Sequence, residues 1–227
     1  MKADSRFFLF FGSPGAGKGT LAQMCVDRLG WAQLSTGDLF RKHIAEGTSI
    51  GKHIDFVIKS GKLVDDTVVM NMVSEWMQEK ISEVDAIIFD GFPRTLPQAQ
   101  LFTDLIKQKF IKSSLRVFEL EVDSELVIKR LSSRRVCSAK NCQTVFSVSP
   151  DSERQPAVPG ICDRCGSELT QRADDADETV RTRLIVYHKH ANELLDFFKK
   201  SGVQIEKLDG HKSLDEVFEN FVALVSE

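Results

Sequence analysis

No stretch of the 227-residue chain is apolar for long enough to cross a bilayer, and the Phe7–Phe11 run is too short for the core of a signal peptide. A membrane partner is therefore not expected, and the cytosol is the expected location. Charge of one sign is not in excess either. The chain has 30 Lys and Arg against 33 Asp and Glu, a net of -3, so nothing draws its whole surface toward nucleic acid. Any anionic ligand must then be met by positive charge gathered locally. Internal repeats and low-complexity tracts are absent. Cysteine is sparse, and in the cytosol disulfides are not expected, so the five cysteines need another explanation. What remains is ordinary globular material, 42% hydrophobic and 28% charged, of a length that suits one core with small insertions.

The most informative stretch is Phe8-Leu9-Phe10-Phe11-Gly12-Ser13-Pro14-Gly15-Ala16-Gly17-Lys18-Gly19-Thr20. Its apolar half has the length and aromatic bias of a buried strand. Beyond the glycines, Leu21, Met24, Cys25 and Leu29 recur at helical spacing, so the turn joins a strand to a helix. Glycines let such a turn curl until its N–H groups point inward on a phosphate at the helix's positive end. Lys18 adds a mobile charge for the β- and γ-phosphates. One position departs from the strict P-loop pattern: Gly19 stands where Ser or Thr is usual, with Thr20 one later.

Along the chain, further strands are expected over Trp31–Leu34, Ala86–Phe89, about Leu115–Val122 and Val203–Leu208. Helices are expected over Ile50–Ile58, ending at Ser60-Gly61, then after Lys62–Asp66, to about Lys109, and from Glu125 to about Arg134. Two more carry Val180 to Phe198, and Val217 to Val225 behind the capping box Ser213–Glu216. Five strands separated by helices imply an α/β fold, a parallel sheet covered on both faces with ligands at the strands' carboxyl ends. Between Arg135 and Gln171 this pattern stops. That segment holds Cys137-x4-Cys142-x19-Cys162-x2-Cys165, two pairs across a loop. Four thiolates make a closed tetrahedral zinc site, which can hold together a segment too poor in apolar residues for its own core. An iron–sulfur centre is the alternative metal. Cys25 lies on an apolar helix face and reads as core. The five histidines, His43, His53, His188, His190 and His211, have no ligand spacing with the cysteines.

Five motifs in order give the chain a resemblance to the adenylate kinases of the long form, with a zinc-bearing lid. They are Gly12–Thr20, Ser35-Thr36-Gly37-Asp38, Asp90-Gly91-Phe92-Pro93-Arg94, Arg130-x3-Arg134-Arg135, and Arg172-Ala173-Asp174-Asp175 with Arg181 and Arg183 beyond. The resemblance implies a P-loop kinase core of residues 1–35, 66–134 and 172–227. It also implies an AMP-binding insertion of residues 36–65 and a zinc-binding lid of residues 135–171. It implies ATP contacts at Gly15, Ala16, Gly17, Lys18, Gly19 and Thr20, with Arg130 stacked on adenine, Val145 and Phe146 opposite, and the Lys212 backbone beside it. The AMP contacts it implies are Thr36, Arg41, Lys62, Leu63, Val64, Gly91, Phe92, Pro93, Arg94 and Gln98. Lys18, Arg94, Arg134, Arg172 and Arg183 would surround the transferring phosphoryl, Arg172 and Arg183 also reaching AMP. Leu21, Ser133 and the lengthened first cysteine pair depart from the family's pattern.

The implied reaction moves the γ-phosphoryl of ATP onto AMP to give two ADP. The acceptor phosphate is already largely ionised near neutral pH, its second pKa being about 6, so alignment and charge neutralisation matter more than a general base. Mg2+ would bridge the ATP phosphates with Asp90 as direct or water-linked carboxylate. Asp174 and Asp175 either orient lid arginines or cap the next helix, and Arg181 either joins the phosphate site or sits on the outer helix face. Partners are ATP, AMP and ADP, with no nucleic acid, and a monomer is expected. Two rivals remain: a same-fold kinase acting on UMP, CMP or another monophosphate, and a nucleic-acid-binding zinc ribbon on a P-loop motor. The ribbon's basic residues, Arg134, Arg135, Lys140, Arg154, Arg164 and Arg172, are offset by Asp151, Glu153, Asp163 and Glu168. Phe146 is the segment's only aromatic residue, poor material for tracking a strand.

Overall fold

The computed structural model describes residues 5–60, 62–111, 113–139 and 142–226. Gly61 and Lys140, both named above, lie outside them. Strand β1 (Arg6–Phe11) runs at the centre of a parallel sheet, with β3 (Ala86–Asp90) and then β2 (Ala32–Ser35) on one side and β4 (Ser114–Glu121) and β8 (Gln204–Asp209) on the other. Alternation along β1 divides the core. Phe7, Leu9 and Phe11 enter one apolar cluster with α4 (Asp66–Lys80), α5 (Leu96–Lys109) and α7 (Asp177–Lys200). Phe8 and Phe10 enter the other, against α1 (Lys18–Leu29) and α8 (Leu214–Ser226). There Phe8 stacks on Trp31 at 5.0 Å and Phe118 meets Phe221 edge-on at 4.7 Å. Each fully buried phenylalanine contributes roughly 1.5–3 kcal/mol, which makes β1 the anchor of the sheet. The chain changes side of the sheet at β1, and ligands bind at such switch points.

Helix ends follow local chemistry. Asp123 accepts from the Leu126 N–H at 2.8 Å and starts α6 (Ser124–Ser133). Ser213 and Glu216 form the reciprocal capping box, at 3.3 and 3.0 Å. Helix α6 stops one residue before the expected Arg134, which is already extended and begins β5 (Arg134–Cys137).

Two insertions stand on this frame. Helices α2 (Thr36–Ala45) and α3 (Ser49–Lys59) pack as a hairpin so close that a Cβ on Gly51 would sit 2.1 Å from the His43 carbonyl oxygen. The cysteine segment, where the sequence shows little helical periodicity, forms a three-stranded antiparallel sheet of β6 (Val145–Ser147), β5 and β7 (Leu169–Thr170). Strands of three and two residues are too short to leave a period in the sequence. Ser133, one of the departures from pattern, joins helix to lid: its hydroxyl accepts from Ser147 at 3.1 Å and its carbonyl from Val148 N–H at 2.9 Å.

Candidate active site

A cleft of about 890 Å3 opens at the carboxyl ends of the strands, between the α2–α3 hairpin and the three-stranded lid. All the nucleotide-site residues expected from the sequence line it except Ala16, which is buried behind its loop at 2% exposure. At the floor, Gly12, Gly15 and Gly17 hold positive φ, and α1 begins without a side-chain cap or an acidic first turn. Its N–H groups are thus left to an anion. Lys18 Nζ donates to the carbonyls of Gly12 and Ser13 at 2.7 and 2.8 Å. The structure also accounts for Gly19. A Cβ there would lie 2.9 Å from Asp90 Oδ2, so the residue that is usually Ser or Thr gives way to the carboxylate at the end of β3. Among the described residues that carboxylate has no hydrogen bond or ion pair, and burial raises its pKa. Leu21, fully buried beside Ala22 and Cys25, serves the core behind the loop.

Around this floor stand Arg41, Arg94, Arg134, Arg172 and Arg183. Asp175, wholly buried, takes two bonds from the Arg134 fork, one of them at 2.7 Å, and lies 3.5 Å from Arg183 Nη1. Arg183 also pairs with Asp174 at 2.9 Å. The two aspartates therefore orient arginines, and they do so from a short 3-10 turn, Ala173–Asp175, just before α7. Arg41 pairs with Asp38, and Arg172 comes within 3.9 Å of the same carboxylate. Among the described residues the buried Nε atoms of Arg41 and Arg172 have no partner, which marks two donors awaiting an acceptor. Arg181 is exposed on the outer face of α7.

Six cations here outnumber the carboxylates of Asp38, Asp90, Asp174 and Asp175, and the electrostatics register the excess. Burial pushes Lys18 down to about 8, with Arg94, Arg183 and Arg134 adding to the effect and Asp90 opposing it. Arg94 faces the open cleft but is hemmed in by protein, and this desolvation with the nearby Arg183 lowers it to about 10. Burial, then Arg41 and Arg134, brings Arg172 to about 10. Asp174 runs the other way. Burial alone would raise it, but Arg183 and the other arginines hold it below the usual carboxylate range. An anion of high charge in the cleft would offset this cationic surplus.

Residues 10–203 match the sequence model of the family described as adenylate kinase. Among curated proteins, the adenylate kinase of Rhizobium rhizogenes is 40% identical over 223 residues, covering 96% of this chain and 98% of that protein. Those of Thermodesulfovibrio yellowstonii and Archaeoglobus fulgidus are each 38% identical, over 96% of this chain and 98% and 97% of theirs. The chain belongs to the adenylate kinase family. The family's reaction is phosphoryl exchange among adenine nucleotides, ATP and AMP giving two ADP.

In an adenylate kinase whose lysine titrates near pH 8, nucleotide binding and protonation are linked. Phosphate oxygens placed beside Lys18 would favour its charged form, so if ATP sits on this loop its binding at pH 8.5 is expected to take up a fraction of a proton. Affinity should then weaken as pH rises past 8. Calorimetric titration in buffers of different ionisation enthalpy measures the uptake; none at pH 8.5 would contradict the assignment of Lys18 to the phosphates.

The residues expected around the two bases are built less openly. Thr36, 2% exposed, donates its hydroxyl to the Gly91 carbonyl at 2.9 Å, and Arg94 Nε donates to the same oxygen at 2.7 Å. Gly91 holds φ +74, and a Cβ there would meet Arg94 Nη2 at 2.8 Å. Gln98, also 2% exposed, accepts from the Arg94 backbone N–H at 2.8 Å. Lys62 and Leu63 border the cleft and Val64 anchors below it. Across from them Arg130 donates to the Gly210 carbonyl at 2.9 Å, beside exposed Lys212. Val145 lines the cleft half-buried, and Phe146 also borders it while packing most of its ring into the lid's own core with Leu169, Cys137 and Cys162. His211, which showed no ligand spacing, bridges Asp123 and Asp209 at 2.8 and 2.9 Å, and these bonds raise its pKa.

In the adenylate kinase lid the four thiols of Cys137, Cys142, Cys162 and Cys165 lie within 4.8 Å of one another. Cys137 and Cys165 are 3.3 Å apart, Cys142 and Cys162 3.7 Å. A tetrahedron with arms of about 2.3 Å has edges of about 3.8 Å, so the set fits a single Zn2+ and is too tight for a cluster of several irons. Just after the lengthened first pair, Gln143 takes φ 51 and donates its amide to the Cys137 and Ala139 carbonyls. Cys25 stays apart in the core, its thiol pushed up to about 12 by burial.

Asp38 and Asp66 also belong to this site, through contacts that local spacing does not signal. Asp38 lies in one of the five motifs, but its link to Arg172 is tertiary and leaves no local signal.

Proposed function

We propose that this chain transfers the γ-phosphoryl of Mg-ATP directly to the phosphate of AMP, with ATP held on the Gly12–Thr20 turn and AMP on the hairpin side. The observation that carries this reading is one cleft in which Lys18 and five arginines meet, with two guanidinium nitrogens still unpaired. Lys18 and the loop amides hold the ATP phosphates. Arg41 and Arg94 hold the AMP phosphate. Arg134, Arg172 and Arg183 offset the charge that spreads over the transferring group. The planar fork of each arginine suits phosphate oxygens. No step needs a general base. Asp90, lacking a partner of its own, is the carboxylate that would hold Mg2+; the ion would neutralise charge on the ATP oxygens. Arg130, Val145, Phe146 and Lys212 frame the ATP base, and Thr36, Lys62–Val64, Gly91–Pro93 and Gln98 frame AMP.

Residues 36–65 and 135–171 close over their nucleotides and exclude water, which suppresses hydrolysis. Zn2+ on the four cysteines keeps the lid one body. The protein works as a cytosolic monomer in adenine nucleotide balance and salvage, with no nucleic-acid or membrane partner. The test mixes protein with Mg-ATP and AMP, UMP, CMP or GMP separately and measures ADP. ADP should form far faster with AMP than with the others or with no acceptor. Equal rates with UMP or CMP would assign a broader kinase, and salt-sensitive binding to single-stranded DNA would favour the ribbon.

A further inference from the structure

Gln98 is held at both ends by groups that leave its amide no freedom to turn over. Its Oε1 accepts from the backbone N–H of Arg94 at 2.8 Å, and its Nε2 donates to Asp66 Oδ1 at 2.7 Å. An amide N–H can only donate and an ionised carboxylate only accept, so the oxygen must face Arg94 and the nitrogen must face Asp66. Thr95, which starts α5 by accepting from the Gln98 N–H, donates its hydroxyl to the same Asp66 oxygen at 2.8 Å. Asp66 is the first residue of α4, where the chain returns from the α2–α3 hairpin, so the contact joins that return point to the loop after β3.

We infer that Asp66 is a positioning residue that makes the acceptor site select a 6-aminopurine over a 6-oxopurine, by locking the Gln98 amide in one orientation. This rests on the proposed placement of AMP beside Gln98. A primary amide offers two N–H donors and two acceptor lone pairs. One of each is spent on Asp66 and Arg94, which leaves one N–H and one lone pair for the cleft that Gln98 lines. Adenine presents an amino donor beside a ring-nitrogen acceptor, the pattern a glutamine amide reads with two bonds. Hypoxanthine and guanine present a carbonyl acceptor there, with N–H beside it on the pairing edge. To meet that edge the amide must rotate by half a turn. Rotation would set Nε2–H against the Arg94 N–H and Oε1 against the Asp66 carboxylate, replacing two attractions by two repulsions. The 6-oxopurine therefore loses its two bonds or breaks the lock, and either costs affinity.

The test is steady-state kinetics with AMP, IMP and GMP as acceptors at saturating Mg-ATP, for Asp66→Ala, Asp66→Asn and Gln98→Ala. Removing the acceptor in Asp66→Ala should free the amide. The ratio of kcat/KM for AMP over IMP should fall about tenfold or more, mainly through KM for AMP, with KM for ATP unchanged. Asp66→Asn keeps the size of the side chain but can turn its own amide to donate, so it should lose selectivity much as Asp66→Ala does, whereas a merely structural role for Asp66 would leave the Asn variant selective. Asp66→Ser suits a helix start but is too short to reach the amide, and it replaces Asp66→Ala if that variant does not fold. Wild-type selectivity in the folded Ala or Ser variant overturns the inference. If Gln98→Ala nevertheless loses selectivity, the base-reading role of Gln98 stands without the lock. If Gln98→Ala also keeps it, the placement of AMP beside Gln98 falls as well.

Discussion

Replacing Lys18 with methionine is expected to lower kcat by about 10^3-fold while leaving the melting temperature unchanged or raised. The loss follows from position. Nζ lies between the Gly12 and Ser13 carbonyls at the mouth of the loop, where, on the proposed placement of ATP, it would meet the phosphates at close range and away from bulk water. No arginine of the ring is flexible and compact enough to enter that space. The stability effect has the opposite sign. Burial depresses Lys18 from 10.5 to about 8, so between those values the unfolded chain binds more protons than the native one. Stability from this group therefore rises with pH across that window, and below it the charged lysine is a burden on the fold. Methionine removes the burden and fills a similar volume. Steady-state rates and thermal unfolding at pH 7 check both halves; a folded variant retaining a tenth of its turnover would end the phosphate-binding role.

Stripping metal from the lid is expected to cut deeply into stability and shallowly into catalysis. The lid's core is Cys137, Phe146, Cys162 and Leu169, and two of those four are thiols of the metal set. Without an ion, strands of four, three and two residues have too little apolar surface to stay paired. Chelation, or Cys162→Ser, should lower the first thermal transition by about 10 °C or more, with hydrogen-exchange protection lost over residues 134–171 and kept in the sheet. At modest temperature much of the turnover should survive, because Arg134 and Arg183 are anchored on Asp175 and Asp174 outside the cysteine site. Complete loss of catalysis in a still-folded, metal-free sample would contradict this division of labour.

The two effects separate because one cleft is built by two kinds of interaction. The floor is backbone, shaped by glycines and sealed from behind by Phe10, Leu21 and Leu120. The walls are long side chains held by a few aspartates. Asp175 is the sharpest case, a wholly buried carboxylate whose cost is offset by charged bonds from Arg134 and by nearby Arg183.

Local chemistry was open to reading before any fold was known. The strand at Phe7–Phe11, the curled turn ending in Lys18, the capping box at Ser213–Glu216 and the cysteine spacing each depend on residues close in the chain. The ring of arginines was legible only by resemblance, since nothing in the spacing of Arg41, Arg94 and Arg183 says that they converge. Convergence depends on parallel strands whose carboxyl ends share one edge, and on turns that bring the hairpin and lid to that edge. The same holds for Asp66, 32 positions from Gln98, and for Asp175, 41 from Arg134. Sequence alone determined which segments fold and what chemistry they carry, because secondary structure and capping are short-range. Which charges pair, why Gly19 replaces a hydroxyl, and which way an amide must face were decided by packing, because those energies depend on distances that only the folded chain sets.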